Sequence, residues 1–593
     1  MFPFIFSIIF FLLPLFSPHP TQALEEFGHQ QNTSYLLDSR GNATVTETIT
    51  LTNLLSRLHP QEYIVKISGL SPQQITITSP ENKKISHQVK QEESLTTITV
   101  KFLEPSLGKG QKNSFTLTYL FSNFAKQKGQ TWEIILPEQS GNPGQNSELT
   151  LKVPETYGTI SYATRPPKQK TPDSNFQVFT WSQTEITPRF LVAFGQQQIF
   201  SFNLSYFLQN HSHQNQLQEI PLPPDTPNQK IYFQQIHPTP QKIVLDQDGN
   251  WLAQYSLKPS QSLEIKAQGQ GQVGPNSNPI PAPTEKNLDQ YLKAQKYWPV
   301  DNPIIQTLAQ KYSSPQTIYN FVIATLSYPN SINPNSIRQG ALAALENPQQ
   351  ALCTEFTDLF ISISRAANIP TREIEGFAWT DNPQIKPILS QDKDILHAWP
   401  QYYDQTQAAW ISIDPTWQKT TGGIDYFHHF DLNHLTFVIH GLSSELPPPP
   451  GSFRQSTQEN SVQVNFAQKL EPSNPQPLKL KNISRLSLKK TIITFQNPAL
   501  QSSPPQKVSF SHHQEQENIP SLPPLGEWEL NINTPPWPLI LLPRYRQLKI
   551  LLSDQENYIN YPPYYFYLSL TTLAILFTLI FTLLFFKAKL KKN

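Results

Sequence analysis

Cys353 is the only cysteine in a chain of 593 residues, and it is followed by His397 in His397-Ala398-Trp399 and Asp414 in Asp414-Pro415-Thr416-Trp417. A thiol, an imidazole and a carboxylate are the parts of a nucleophile, a proton carrier and an orienting acid. A lone thiol cannot close an intramolecular disulfide, so its surroundings decide whether it is an inert core residue or a nucleophile. Here they favour the nucleophile. Phe356, Leu359, Phe360 and Ile363 fall at helical spacing within Thr354 to Ala367, and Asn368 with Pro370 ends that run. Cys353 therefore stands at a helix N-terminus, where unpaired N–H groups and the positive end of the dipole favour thiolate over thiol.

The other two residues are related by a hairpin. Ala398 to Tyr403 and Ala408 to Ile413 read as strands joined by Asp404-Gln405-Thr406-Gln407, and folding this segment about its middle sets His397 opposite Asp414. Directly opposed residues have Cβ atoms about 4.5–5.5 Å apart, within reach of a carboxylate-to-imidazole hydrogen bond. Pro400 removes one ladder donor from the histidine strand, so an edge or a bulge is expected there.

The segment from about residue 285 to 440 resembles the transglutaminase-like superfamily. The resemblance rests on Ala351-Leu352-Cys353-Thr354-Glu355-Phe356, Arg365-Ala366-Ala367-Asn368-Ile369-Pro370-Thr371-Arg372, His397-Ala398-Trp399 and Trp410 through Trp417. It implies a papain-like α+β core with Cys353 as nucleophile, His397 as base and Asp414 as orienting acid, acting on an amide or related acyl group through a thioester. Asn368 replaces the glycine usual in relatives, which is tolerable because Asn also enters the left-handed region. The Cys353 N–H is the natural first oxyanion donor, and no upstream side chain can be assigned to join it.

Around this module the pattern changes. Val45, Ile49 and Leu51 alternate with threonines; Phe115, Leu117, Tyr119 and Phe121 repeat period two, as do Phe200, Phe202, Leu204 and Tyr206. Such alternation buries one face of each strand and reads as antiparallel sandwiches. A hairpin is expected at Asp248-Gly249, and helices capped by Asp301 or Asn302 and by Ser314 ahead of prolines, with a third from about Ser336 to Leu345.

The ends point to a membrane. Ile5 to Phe16 form a short apolar run that resembles a secretory signal peptide, and Phe566 to Phe586 hold no charge over 21 positions. At about 1.5 Å per residue the latter reach about 31 Å, enough to span a hydrocarbon core. Tyr558, Tyr561, Tyr564, Tyr565 and Tyr567 crowd one end and Lys587, Lys589, Lys591 and Lys592 follow the other, which keeps the lysine end cytoplasmic.

The expected order is signal peptide 1–23, N-terminal β-sandwich domain 24–198, second β-rich segment 199–268, linker 269–284, transglutaminase-like domain 285–445, proline-rich linker 446–460, membrane-proximal β-domain 461–557, transmembrane helix 566–586 and basic tail 587–593. A net charge of +1 without a long basic run in the soluble part gives no support to nucleic-acid binding. His428, His429, Asp431, His434 and His440 match no sharp ligand spacing and read as loop or packing residues, so no metal and no cofactor are expected. Trp399, Trp410 and Trp417 read as core, and Glu355 and Asp358 as carboxylates offsetting the helix dipole.

The sequence thus predicts a cell-surface cysteine enzyme, anchored by one helix, acting on a peptide, protein or cell-wall amide. Hydrolysis and cross-linking share the first half-reaction and remain equally open. An inactive scaffold or adhesion module, or a surface thiol that captures a partner once, are the competing readings.

Overall fold

The computed structural model describes residues 26–590 apart from 94, 103–104, 138–146, 187–189, 276–284, 330–336, 380–395, 422–423, 456–459, 472–475, 487–489, 512–515, 534–546, 553–554 and 561–562. The expected signal peptide lies outside these residues. The chain divides into two units: Met1–Ala125 with Leu136–Thr156 and Arg165–Phe190, and Lys126–Ile135 with Tyr157–Thr164 and Leu191–Asn593.

In the first unit, the alternation read from the sequence becomes strands with one buried face. Phe27–Leu37, Ala43–Asn53 and Lys112–Phe121 are consecutive neighbours in a seven-stranded sheet, and Val45, Ile49, Phe115 and Tyr119 turn inward. A three-stranded sheet of Glu62–Ser68, His87–Glu92 and Leu95–Lys101 lies against it, with Tyr63 meeting Phe115 edge-on at 5.6 Å. The larger sheet is not wholly antiparallel: Phe27–Leu37 pairs in parallel with Glu148–Pro154. A parallel neighbour needs a long crossover, and the strands between residues 43 and 136 supply it.

Residues 126–135, 157–164 and 191–198, expected in the N-terminal sandwich, belong to the second unit. The cause is burial: Tyr162, Leu191 and Ala193 pack with Ala378, Trp417, Ile424 and Tyr426. The second unit also holds a sandwich of its own. Gln229–His237, Ser262–Val273, Gln198–Gln209 and Val462–Phe466 form one sheet, and Gln216–Leu222, Trp251–Leu257 and Lys242–Leu245 the other. Phe200, Phe202, Phe233 and Trp251 fill the space between them. The Asp248-Gly249 turn joins Lys242–Leu245 to Trp251–Leu257, with Gly249 at φ +98°.

Two expected boundaries move. Val462–Phe466 completes the sandwich sheet by pairing with Gln198–Gln209 instead of opening the membrane-proximal domain. The linker expected from Gly269 begins later, because Ser262–Val273 is one continuous strand. Glycine there serves close packing: a Cβ on Gly269 would lie 2.6 Å from the Tyr232 carbonyl oxygen, and one on Gly271 2.5 Å from Leu435 Cδ1.

The helical layer follows. Helix α1 (Pro303–Lys311) is capped by Asn302 and α2 (Pro315–Thr325) by Ser314. Helix α3 (Ala341–Glu346) is shorter than expected and starts after Gly340 at φ +87°. Helix α4 (Cys353–Ala366) is the central one, burying Phe356, Leu359, Phe360 and Ile363 against Ile318, Val322 and Ile413. A four-stranded antiparallel sheet, ordered Ala409–Ser412, Leu396–Asp404, Thr371–Ala378, His434–His440, completes the module. A short helix, α5 (Pro415–Thr420), leaves the edge strand. Two further small sheets share a core of Ile493, Phe495, Val508 and Ile550. Helix α6 (Pro563–Leu590) contains Leu570–Ala588, the one described helix long and apolar enough to cross a membrane.

Replacing Gly269 by valine should destabilise the second unit by about 1–3 kcal/mol through overpacking against backbone. Strand propensity alone predicts the opposite sign. A lower urea midpoint for that unit's transition is the expected result, and a raised midpoint would contradict it.

Candidate active site

Cys353 is the first residue of α4, and its position is fixed from several sides. The buried Glu355 carboxylate accepts from Leu352 N at 3.0 Å and from Gln339 N at 2.8 Å, so it closes the helix start onto the preceding loop. Asp358 accepts from Trp298 Nε1 at 2.8 Å and from Arg338 Nε at 3.0 Å. These carboxylates therefore anchor the helix to neighbouring chain, a larger task than offsetting its dipole. Arg365 holds the other end by donating to the carbonyls of Thr371 and Gly441. Asn368 adopts φ +63°, the left-handed geometry that lets the chain turn into the sheet. Thr357 Oγ1 donates to the Ala398 carbonyl at 3.2 Å, which ties α4 to the strand one residue beyond His397.

The histidine strand and the acid meet by a route that differs from the expected register. The ladder runs Gln401↔Ser412, Tyr402↔Ile411, Tyr403↔Trp410 and Asp404↔Ala409, so Asp414 is not opposite His397. The turn begins one residue late because the Asp404 carboxylate accepts from Thr406 N at 2.8 Å and Gln407 N at 2.9 Å, carrying the reversal to Ala408 at φ +50°. Ile413 N donates to the Pro400 carbonyl at 3.2 Å, but Pro400 has no N–H to return. The ladder stops there, and Asp414 becomes the N-cap of α5, with Oδ1 accepting from Trp417 N at 2.9 Å. From that position Asp414 Oδ2 lies 2.7 Å from His397 Nε2. The contact expected from the sequence forms, through a helix cap in place of a cross-strand pair.

His397 is buried among rings. It stacks on Trp399 at 5.9 Å and lies 6.0 Å from Trp417. Gly376, paired with His397 in register, leaves room for this arrangement, since a Cβ there would lie 2.8 Å from the Trp399 ring. Burial would lower the His397 pKa, yet the charge and hydrogen bond of Asp414, joined by Cys353, raise it to about 9. Asp414 shows the converse: burial would raise it, but His397 and His434 hold it down at about 2. With Nε2 bound to Asp414, Nδ1 of His397 is buried and closes no ordinary hydrogen bond among the described residues, so it is the nitrogen left for Cys353. Tyr328 also lies in this neighbourhood: burial raises its hydroxyl pKa, and the charge of Cys353 raises it further. It remains a neutral donor.

His434 is the residue that sequence reasoning placed elsewhere. Its Nε2 lies 3.2 Å from the same Asp414 Oδ2, and its Nδ1 2.7 Å from Asp431 Oδ1. Burial lowers its pKa, but Asp431 and Asp414 outweigh that and raise it to about 9. Of the other histidines in that group, His440 packs on Glu373 at 3.2 Å and His428 pairs with Asp425 at the surface. A cleft of about 890 Å³ is lined among others by Arg372, Trp399, Gln401, Trp410, Asp431 and His434; Trp399 and His434 separate it from the His397 ring, on which both pack. Trp410 is thus part of a cleft wall, stacked on Arg372 at 4.2 Å, while Trp417 is core.

Among the described residues, two sets of side chains bring ligand atoms within 4.8 Å of one another: His397, Asp414 and His434, and Glu373, Glu375 and His440. In the first, the two Nε2 atoms and Asp414 Oδ2 are spent on mutual hydrogen bonds. In the second, the Arg338 guanidinium already sits against Glu373 and Glu375, at 2.9 Å and 3.7 Å.

Residues 299–415 match the family model of the transglutaminase-like superfamily, so this chain carries a domain of that superfamily. No curated protein matches the sequence. Among solved structures, a candidate cysteine protease from Cytophaga hutchinsonii is 14% identical over 45% of this chain and 86% of its own, with a TM-score of 0.30. The periplasmic domain of TgpA from Pseudomonas aeruginosa, bound to ethylmercury, is 14% identical over 38% of this chain and 92% of its own, with a TM-score of 0.22. An M1 zinc metallopeptidase from Deinococcus radiodurans is 12% identical over 32% of this chain and 46% of its own, with a TM-score of 0.20. Likenesses this slight decide nothing about the activity of this chain.

The pKa shifts predict how stability depends on pH. His397 and His434 rise from 6.5 to about 9 on folding, so their contribution is full below pH 6.5 and is lost as pH climbs to about 9. Asp414 falls from 3.8 to about 2, so its contribution is lost as pH drops through that interval. The urea midpoint of the second unit should therefore be highest between about pH 4 and 6.5 and decline toward pH 9. A midpoint that rises over the alkaline interval would contradict the assignment.

Proposed function

We propose, from a transglutaminase-like domain at residues 299–415 and a helix α6 suited to a membrane, that this protein is a membrane-anchored cysteine enzyme acting on amides outside the cytoplasm. Its substrates are peptide, protein or cell-wall amides, its lipid contact is through α6, and the lysine end of that helix stays cytoplasmic. One observation carries the reading. The imidazole of His397 is held by Asp414 at 2.7 Å with its second nitrogen uncommitted, beside a thiol at the first turn of α4.

In this reading the Cys353 sulfur, as thiolate beside imidazolium, adds to the substrate carbonyl carbon, and the carbonyl π pair moves to oxygen. The N–H of Cys353, at a helix start where no intrahelical acceptor is available to it, serves as a donor to that oxyanion, and the neutral Tyr328 hydroxyl in the same neighbourhood is the candidate for a second. His397 then gives its proton to the departing nitrogen as the C–N bond breaks, leaving a thioester on Cys353 and an amine in solution. Water or a second amine attacks the thioester and loses its proton to His397, and the thiolate leaves. Asp414 keeps its negative charge throughout and fixes the ring, so no proton needs to reach it.

Because Cys353 is the only thiol, alkylation reports on one site without interference. With iodoacetamide at pH 7, the wild-type chain should label at least about tenfold faster than His397→Ala, since a free thiol with pKa about 8.5 is only a few per cent ionised at that pH. Equal rates, both rising only near pH 8.5, would remove the enzymatic reading and leave a scaffold.

A further inference from the structure

We infer that His434 is a positioning residue, holding the Asp414 carboxylate in the orientation from which it serves His397. This rests on the reading of Cys353, His397 and Asp414 as a working set and assigns a fourth side chain to it.

The geometry is that of a continuous chain of hydrogen bonds. Asp414 Oδ1 is committed to Trp417 N at 2.9 Å, and Oδ2 is shared by His397 Nε2 at 2.7 Å and His434 Nε2 at 3.2 Å. A carboxylate rotates about its Cβ–Cγ bond unless both oxygens are held. Trp417 N holds Oδ1, and with His434 present Oδ2 cannot turn away from His397 without giving up a second donor as well. His434 is itself fixed: Nδ1 reaches Asp431 Oδ1 at 2.7 Å, and Phe430, Trp417 and Trp399 pack around the ring at 4.4, 4.7 and 5.0 Å. Asp431 in turn accepts from the Tyr426 hydroxyl at 3.2 Å.

The charges are balanced by the same contacts. A second imidazolium 5.8 Å from His397 would repel it if it stood alone. Asp431 offsets that charge, so two imidazoliums face two carboxylates. The groups facing His434 are Asp414 from the cap of α5, His397 from the strand on the far side of Thr371–Ala378, and Asp431 and Tyr426 from the loop before its own strand. Behind Asp431 stands Glu133, bound to Asn433 at 2.9 Å. A residue that served packing alone would not need both ring nitrogens committed to buried or half-buried carboxylates.

The test compares His434→Ala, His434→Gln and Asp431→Asn in the full chain, reading the iodoacetamide rate of Cys353 at pH 7, with circular dichroism and the urea midpoint read alongside. The alanine variant frees Asp414 Oδ2 of one donor and should lose about tenfold in rate. Glutamine keeps an N–H at a similar reach and should recover to within about threefold of wild type. Asp431→Asn, which keeps His434 itself, should fall between them and serves if the alanine variant does not fold. If all three label as fast as wild type while lowering the urea midpoint, His434 is structural and the inference fails. If wild type labels no faster than His397→Ala, the thiol–imidazole pair fails, and His434 has nothing to position.

Discussion

A single buried carboxylate sets the terms for the rest of this domain. Asp414 caps α5 with one oxygen and binds two imidazoles with the other, all shielded from water. Three obligations on one side chain leave it no alternative rotamer. Burying an ionised group is costly unless it is paired and fully hydrogen-bonded, and removing one partner of such a pair typically costs about 3–5 kcal/mol. The fold therefore cannot keep Asp414 without His397 and His434 close by, and their raised pKa values follow from the same contact.

How the chain brings Asp414 there is a matter of where a ladder ends. Pro400 lacks the N–H that would extend the pairing to Ile413, so the edge strand stops and the next residue is free to cap a helix. On the opposite side of the histidine strand, Thr357 ties α4 to Ala398, while Glu355, Asp358 and Arg338 fix the start of that helix. The thiol and the imidazole thus belong to two elements tied together beside these two side chains. Around them, Trp399 and Trp417 exclude water from the His397–Asp414 bond, which strengthens it.

Local signals in the sequence were enough for much of this. Asn302 and Ser314 cap the helices they precede, Asn368 takes the left-handed turn, and Cys353 begins its helix, because caps and turns depend on a few adjacent residues. The hairpin carrying His397 and Asp414 was legible as well, but its register was not. Asp404 folds its carboxylate onto Thr406 and Gln407, which moves the turn by one residue and the pairing by two. A shift of two keeps every side chain on its face, so the expected meeting of His397 and Asp414 survived the error. His434 was out of reach for a different reason. Its strand pairs with Thr371–Ala378, some 60 residues earlier, and nothing near residue 434 encodes that neighbour. Gly269 and Gly271 misled in the same way: their reason is the Tyr232 backbone and the Leu435 side chain, both distant in sequence.

The central claim is that Asp414 keeps the His397 ring protonated and aimed, and nuclear magnetic resonance of the chain labelled with ¹⁵N-histidine tests it without any substrate. The His397 and His434 imidazoles should carry protons on both nitrogens at pH 7.5 and lose one only near pH 9, and Asp414→Asn should move both transitions downward while that of His440, raised by Glu373 and Glu375, stays in place. Transitions near the ordinary value of about 6.5, unchanged in that variant, would contradict the account.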